Sequence, residues 1–490
     1  MASKLKVVHV SSEIEPFSKT GGLASVVGSL PQAQKDLGAN VICITPYYEN
    51  ITTAENGFEV VAQEIPIQID GVIYPADFLK TKTANGLEVY FIAQKFFFGK
   101  RDKLYGAEND NSRFFFFDVA TIELLKKIDW KPDIIHCHDW HSGLIPYFLK
   151  GRLKDDPFFI NTKTIYTIHN LAYQFGHDWF NIPQEKRDDG RRQLGPIENT
   201  EEIEYINFAK RAIMNADAIN TVSETYREEI LTKDFGEELH RILKNREEKF
   251  FGIVNGIDYN EYNPKKDPGL KLQYDEKSIE HKTVNKEWLQ KKFGLTVDSD
   301  IPLLCMTSRI VEQKGFELFA KIIDILMTMK IQIIVMGDGD PKIVSSLHKT
   351  QKRLPKKFVI IPFDSNIETS IYAGADIFML PSRFEPCGIN QMIAMRYGCI
   401  PIVHQIGGLA DTVSNFDPIS NKKGNGFSFK RYSSRLFLVA IVRALETYKH
   451  GNVWKKIVMS SMTQANSWVI PAKKYIKLYK DTLKAKQKHD

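Results

Sequence analysis

Eleven short apolar runs rich in β-branched residues, most of them followed by a longer amphipathic stretch, constrain the fold of this chain more than any other feature. A run of five or six apolar residues without polar alternation reads as a strand buried on both faces, and strands alternating with helices read as a parallel sheet in a doubly wound α/β fold. The first series comprises KVVHV (6–10), VICIT (41–45), DIIHC (133–137), TIYTI (164–168), AINTV (218–222) and FGIVN (251–255). The second comprises LLCMT (303–307), IQIIVM (331–336), FVIIP (358–362), IFMLP (377–381) and IPIVH (400–404). Between them, 259–300 turns polar and proline-dotted. The expected organisation is therefore a Rossmann-like first domain over 1–258, a boundary region over 259–300 and a second Rossmann-like domain over 301–455.

The last stretch, 456–490, carries Tyr475, Ile476, Leu478, Tyr479 and Leu483 at helical spacing among Lys473, Lys474, Lys477, Lys480 and Lys484. An amphipathic helix is expected there, one that docks back on the first domain; a membrane-surface helix is the alternative. The phenylalanines at 96–98 and 114–117 read as core. Five cysteines with no C-x-x-C pair argue against a disulfide framework or a thiolate zinc site. The N-terminus lacks a signal-peptide apolar segment, and the most apolar internal stretch, 322–336, is interrupted by Asp324, Lys330 and Gln332. A cytoplasmic protein with no membrane or nucleic-acid partner is expected, since 66 basic against 60 acidic residues leave a net charge of only +6.

The chemistry-bearing residues gather just after the strands. Gly21 and Gly22 follow the first strand and open a helix, and Lys19 lies two residues before them. Such a turn admits close backbone approach and offers unpaired N–H groups to an anion, although it also serves as a plain structural turn. Gly407 and Gly408 repeat the device in the second domain. Neither turn is a G-x-G-x-x-G or a Walker A loop, which disfavours dinucleotide and P-loop readings. SRIVEQKG places Arg309 and Lys314 in one loop, where two fixed cations could stabilise a departing diphosphate or could be solvated surface charges. In PSRFEPCG, Glu385 would suit the hydroxyls of a polar ligand and Gly388 opens a helix. Carboxyl ends of strands face the ligand crevice in open α/β sheets, so two facing domains would hold a substrate in the cleft between them.

HCHDWHSG and IHN concentrate His136, His138, Asp139, His141 and His169 at two strand ends. A metal is the tempting reading, but the spacing matches neither H-E-x-x-H nor an H-x-H with a distant carboxylate, and sugar contact or loop orientation fits better. MGDGDP contains a D-x-D, read as a turn whose Pro341 starts a helix.

KTGGL, HCHDWHSGL, IHNLAYQ, VNGID, SRIVEQKG, PSRFEPCG and GGLADTV, in this order, resemble the bacterial glycogen synthase and plant starch synthase family over almost the whole chain. That resemblance implies the GT-B fold and a retaining transfer of glucose from ADP-glucose to the non-reducing 4-hydroxyl of an α-1,4-glucan or glycogen primer, releasing ADP, with no metal or other cofactor. It implies that Lys19, Gly21 and Gly22 approach the diphosphate and reacting sugar, and that Arg309 and Lys314 neutralise the leaving group. Asp139 and His169 would contact the sugar, the His169 carbonyl facing the anomeric carbon. Glu385, with the amides of Cys387 and Gly388, would hold sugar hydroxyls, Phe363 would stack on the base, and Asn255, Gly407 and Gly408 would complete the binding set. Same-face attack, with the leaving phosphate taking the acceptor proton, needs no covalent nucleophile.

The chain departs from that pattern at Ser25, where the family usually has Asp, at Phe363, where bacterial members commonly have Tyr, and at Ile406 in place of Thr. Glu224 stands where TVSP would have Pro, and Ile393 where many GT-B enzymes carry a second Glu. Two alternatives stay open: a related GT-B transferase using UDP-glucose or another acceptor, and a catalytically silent glucan-binding protein.

Overall fold

The computed structural model describes residues 4–49, 51, 57–69, 71–100, 103–176, 179–191, 194 and 200–485. They form two compact units, Met1–Ile253 with Trp468–Asp490, and Val254–Ser467.

The first unit is built on a nine-stranded sheet of β1 (Lys6–Val10), β2 (Asn40–Pro46), β3 (Glu59–Ile69), β4 (Val72–Lys82), β5 (Glu88–Ala93), β6 (Ile134–His138), β7 (Lys163–Ile168), β8 (Ala218–Thr221) and β9 (Phe250–Gly252). Their order is β3-β4-β5-β2-β1-β6-β7-β8-β9. All neighbours are parallel except β3 with β4 and β4 with β5. Val8 of the central strand faces Ile42 of β2 on one side and Ile135 of β6 on the other, so the strand order reverses at β1. A crevice opens at the carboxyl ends where such a sheet reverses, and the Lys19 loop leaves β1 there.

The antiparallel β3–β4 hairpin is absent from the sequence reading. Its strands are exposed over much of their length, Pro66 pairs with Pro75, and the register slips between Val60 and Ile65, so neither a continuous apolar run nor clean alternation marks them. Phe96 also departs from expectation. Phe97, Phe98 and Phe114 to Phe117 are core, whereas Phe96 is 63% exposed and stacks on Tyr74.

The second unit carries β10 (Leu303–Thr307), β11 (Gln332–Met336), β12 (Phe358–Ile361), β13 (Ile377–Leu380), β14 (Ile400–His404) and β15 (Phe427–Phe429), in the order β12-β11-β10-β13-β14-β15 and parallel throughout. Here the order reverses between β10 and β13. The stretch 259–300, expected as a boundary region, falls inside this unit: Tyr274 is buried and donates to the Tyr397 carbonyl at 2.7 Å, and helix Lys282–Lys292 buries Leu289 against the helix Ser365–Gly374. Helix Gly451–Met462 belongs to it as well.

Helix Val469–Lys484 returns to the first unit. Ala472, Tyr475, Leu478 and Tyr479 join its core, Ile476 and Leu483 are half-buried, and the five lysines point to solvent. Its apolar face is thus occupied by protein. Among the described residues no helix is long and apolar enough to cross a membrane.

Candidate active-site residues in the two units

In the first unit, β1 ends at Val10, and the chain then runs through Ser11 and Ser12 and loops from Glu13 to Lys19 before helix Gly22–Asp36 begins. Glu13 ties this loop down, a role the sequence reading missed: its buried carboxylate accepts from the Thr20 amide and from the Thr20 hydroxyl, the latter at 2.9 Å. Burial pushes its carboxyl up to about 7, against the pull of the Thr20 hydrogen bonds and nearby Lys19. Gly21, the N-cap, has open space where a Cβ would stand, and no side chain caps the helix, so its first amides stay available to an anion. Lys19 pairs with Glu15 at 2.8 Å, both partly exposed. Ser25 donates to the other Glu15 oxygen at 2.8 Å, so a carboxylate sits beside Lys19 although Ser25 itself is not acidic.

Asp139 follows β6 with φ +58°, a left-handed backbone that a residue with a Cβ adopts only when its surroundings impose it. What holds it there is its carboxylate, which accepts from the His169 amide at 2.8 Å and from Gln174 Nε2 at 2.5 Å. Asp139 and His169 are thereby brought together, and the His169 backbone is fixed by hydrogen bonding. Burial raises the Asp139 carboxyl to about 7.

Behind His169 lies a buried row of imidazoles. His169 Nε2 meets His138 Nδ1 at 2.9 Å, His138 Nε2 meets His9 Nδ1 at 2.9 Å, and His9 Nε2 meets Gln34 Oε1 at 2.8 Å. Ligand atoms of His9, His136 and His138 lie within 4.8 Å of one another, close enough to raise a metal. Each ring nitrogen of these three already has a protein partner, with His136 bonded to Tyr479 and Thr167. Desolvation holds His9 down to about 4, His169 to about 3, and His136 and His138 well below the ordinary value, so the row is neutral. His141 is not part of it; its ring packs among Tyr105, Phe114 and Trp140.

In the second unit the expected residues follow β10, β12, β13 and β14. Arg309 is exposed and takes no ion-pair partner among the described residues. Lys314, five residues on, is different: its Nζ lies 2.5 Å from Glu385 Oε2, with 16% and 8% of the side chains exposed. Ser382 donates to the same carboxylate oxygen at 3.0 Å. The expected cation and the expected carboxylate are thus a buried pair, and Arg309 is the unneutralised charge of the loop.

Gly407 and Gly408 are buried, and their contribution is steric. Gly407 has φ +45°, and a Cβ there would lie 1.9 Å from the Glu385 carbonyl oxygen; at Gly408 it would lie 2.3 Å from that of Cys387. The helix Gly407–Thr412 can approach the 385–387 turn only without those side chains. Cys387, its thiol pushed up to about 12 by burial, packs next to Asn255, whose buried Oδ1 has no hydrogen-bond partner. Gly388 turns the chain at φ +72°. Phe363 stands 52% exposed after β12, its amide on Asp338 Oδ2 at 3.0 Å, and so presents a free ring face. As expected for MGDGDP, Asp340 caps helix Pro341–Arg353, accepting from the Lys342 amide at 2.7 Å. A cavity of about 1010 Å³ in this unit opens instead at the amino ends of the strands, beside Pro302, Ile331 and Asp376. Its buried lysines are already used, Lys286 on Asp376 at 2.7 Å and Lys282 on three carbonyls.

Residues 6–245 match the starch synthase catalytic domain and residues 289–458 the group 1 glycosyl transferases. The chain is 40% identical to a glycogen synthase of Desulforamulus reducens over 98% of its own length and 99% of that protein. The chain belongs to the glycogen synthase family. A Pseudothermotoga lettingae glycogen synthase is also 40% identical, over 99% of this chain and 100% of that protein. The solved catalytic domain of starch synthase IV from Arabidopsis thaliana, bound to ADP and acarbose, superposes with a TM-score of 0.86 at 32% identity, covering 99% of this chain and 100% of that one. This glycogen synthase family member is accordingly a glycosyltransferase enzyme with the GT-B fold class, two parallel-sheet α/β units.

The family's departures acquire physical meaning. Glu224, in place of Pro, is the first residue of helix Glu224–Ile230, favourable to the helix dipole, and pairs with Lys474 of the returning helix at 2.7 Å. Ile406 and Ile393 are buried.

Proposed function

We propose that the protein transfers glucose from ADP-glucose to the non-reducing 4-hydroxyl of an α-1,4-glucan with retention of configuration, releasing ADP. The observation that carries this reading is the pairing of Asp139 with His169: a carboxylate holds the His169 backbone at the carboxyl ends of β6 and β7. In this reading the His169 carbonyl faces the anomeric carbon as positive charge develops there. Asp139 and the ring of His169 take sugar hydroxyls. Arg309, unpaired, meets the diphosphate, and Lys314 shares itself between phosphate and Glu385. Glu385, the Cys387 and Gly388 amides and Asn255, with its unused Oδ1, bind the sugar and phosphate. Lys19 and the open amides at Gly21 and Gly22 add anion contacts. Phe363 supplies a ring face for adenine, and the ADP held by the plant relative supports that base.

The attack proceeds on the face that the phosphate leaves, and the leaving phosphate oxygen takes the acceptor proton. The carboxylate of Glu15 beside Lys19 supports an active enzyme over a silent glucan binder, because it supplies the acidic group that Ser25 lacks. Purified protein with ADP-glucose and a glycogen primer in EDTA is expected to release ADP and lengthen the primer. Faster turnover with UDP-glucose would replace the donor, and glucan binding without turnover on any nucleotide sugar would overturn the reading.

A further inference from the structure

The row of imidazoles behind His169 continues beyond His9 into the returning helix. Gln34 donates from Nε2 to the Tyr479 hydroxyl at 3.0 Å while its Oε1 faces His9 Nε2. Tyr479 meets His136 Nδ1 at 2.6 Å, and His136 Nε2 meets Thr167 Oγ1 at 2.7 Å. His9, Gln34, His136, His138, Thr167 and Tyr479 are buried, and the partners lie up to 445 positions apart in sequence.

A neutral imidazole carries one N–H, so in each ring-to-ring contact one nitrogen donates and the other accepts. The Gln34 amide sets the sense of the whole row. With Oε1 toward His9, Nε2–H of His9 donates to it, and His9 Nδ1 must accept. Nε2–H of His138 therefore donates to His9, and His138 Nδ1 accepts from Nε2–H of His169. On the other side Tyr479 accepts from Gln34 and donates to His136 Nδ1, and Nε2–H of His136 donates to Thr167. No link can reverse alone: the opposite sense needs the amide to turn and every imidazole to change tautomer together.

We propose that His138, His9, Gln34 and Tyr479 are positioning residues that hold His169 as its Nε2–H tautomer, leaving Nδ1 as a hydrogen-bond acceptor for a substrate hydroxyl. The ring role rests on the proposed glucosyl transfer; the tautomer does not. The row gives the C-terminal helix a hand in the site, because the Gln34 amide is oriented by a hydroxyl on that helix. The hydrogen bonds that orient a reacting group commonly matter about tenfold or more to activity when lost.

The test is nitrogen-15 histidine NMR on the full chain, the His169 signals being assigned by their disappearance in His169→Gln. The wild type is expected to show a protonated Nε2, an unprotonated Nδ1 and a through-hydrogen-bond coupling from Nε2 to His138. His138→Phe removes the acceptor and is expected to mix the His169 tautomers and lower kcat/KM by about tenfold. His138→Asn, which keeps an acceptor near the Nδ1 position, is expected to retain the tautomer and recover most of the rate. A wild-type His169 protonated on Nδ1 overturns the proposal, as does an unmixed tautomer in His138→Phe. Should His138→Phe not fold, Gln34→Met is read in the same way, with a single retained tautomer overturning it. If the wild type transfers glucose from no donor, the glucosyl-transfer reading falls while the nitrogen shifts still decide the row.

Discussion

Arg309 and Lys314 lie five residues apart in one loop, yet their removal should have different consequences. Arg309 is exposed and unpaired among the described residues, so Arg309→Ala should leave stability within about 0.5 kcal/mol of the wild type. If its guanidinium meets charge developing on the departing diphosphate, kcat should fall by about 10²–10³. Lys314→Ala should fall comparably in rate and also destabilise the second unit. It strands Glu385, 8% exposed, with only the Ser382 hydroxyl at 3.0 Å. Breaking a buried pair from one side costs about 3–5 kcal/mol. For a unit of about 200 residues that corresponds to roughly 6–20 °C in Tm. The double variant Lys314→Ala with Glu385→Ala should regain much of that stability and none of the activity, because the orphaned charge is gone. Calorimetry and the rate of ADP release measure the two quantities on the same preparations. Arg309→Ala turning over within threefold of the wild type would remove the leaving-group role, and an unchanged Tm in Lys314→Ala would refute the buried-pair reasoning.

Phe363→Ala should raise KM for the nucleotide sugar by about tenfold with kcat little changed, since base stacking on a ring contributes about 1–3 kcal/mol; an unchanged KM in steady-state assays removes the stacking role. Gly407→Ala should unfold the turn locally, because its Cβ would lie 1.9 Å from the Glu385 oxygen; a wild-type Tm and rate would contradict this. Acid should loosen the first unit before the second. Five histidines there, His9, His136, His138 and His141 buried and His169 half-buried, titrate below the value they have in the unfolded chain. As pH falls from about 6.5 toward 4 the unfolded chain therefore gains protons that the folded state refuses, and stability is lost. Glu13 and Asp139, raised to about 7, and Asp118 and Glu204, also raised by burial, act the other way across the same window, four groups against the five histidines. Hydrogen exchange at pH 7 and pH 5 should show protection falling more in the first unit; equal loss in both would contradict the assignment.

Ten of the eleven expected strands were legible because a strand covered on both faces has to be apolar throughout, and each of these lies within one residue of its expected span, whereas β9, with Phe251 exposed, ends at Gly252, three residues short of the expected 255. The returning helix was legible for the same kind of reason, the spacing of Tyr475, Leu478 and Tyr479. The β3–β4 hairpin was not, because an edge that buries only part of one face, with a slipped register, shows neither a continuous apolar run nor clean alternation. In the site, Asp139 and His169 stood out as polar residues at strand ends. The contacts that give them their geometry did not. Gln34 and Tyr479 are separated by 445 positions and His9 and His138 by 129, and no local spacing encodes such pairs. Lys314 and Glu385 were both expected, but only their three-dimensional separation shows that one neutralises the other.

The first unit is discontinuous, its last segment beginning at Trp468 after the whole of Val254–Ser467 has been made. At translation rates of about 5–20 residues per second, residues up to Ile253 wait roughly 10–40 s for that segment. Throughout that interval the groove that takes Ala472, Tyr475, Leu478 and Tyr479 stands open on the nascent chain, and His136 and Asn220 lack their tyrosine partners. The order of synthesis therefore makes the second unit complete first, and the sheet of the first unit gains its covering helix only after Ser467 has been made.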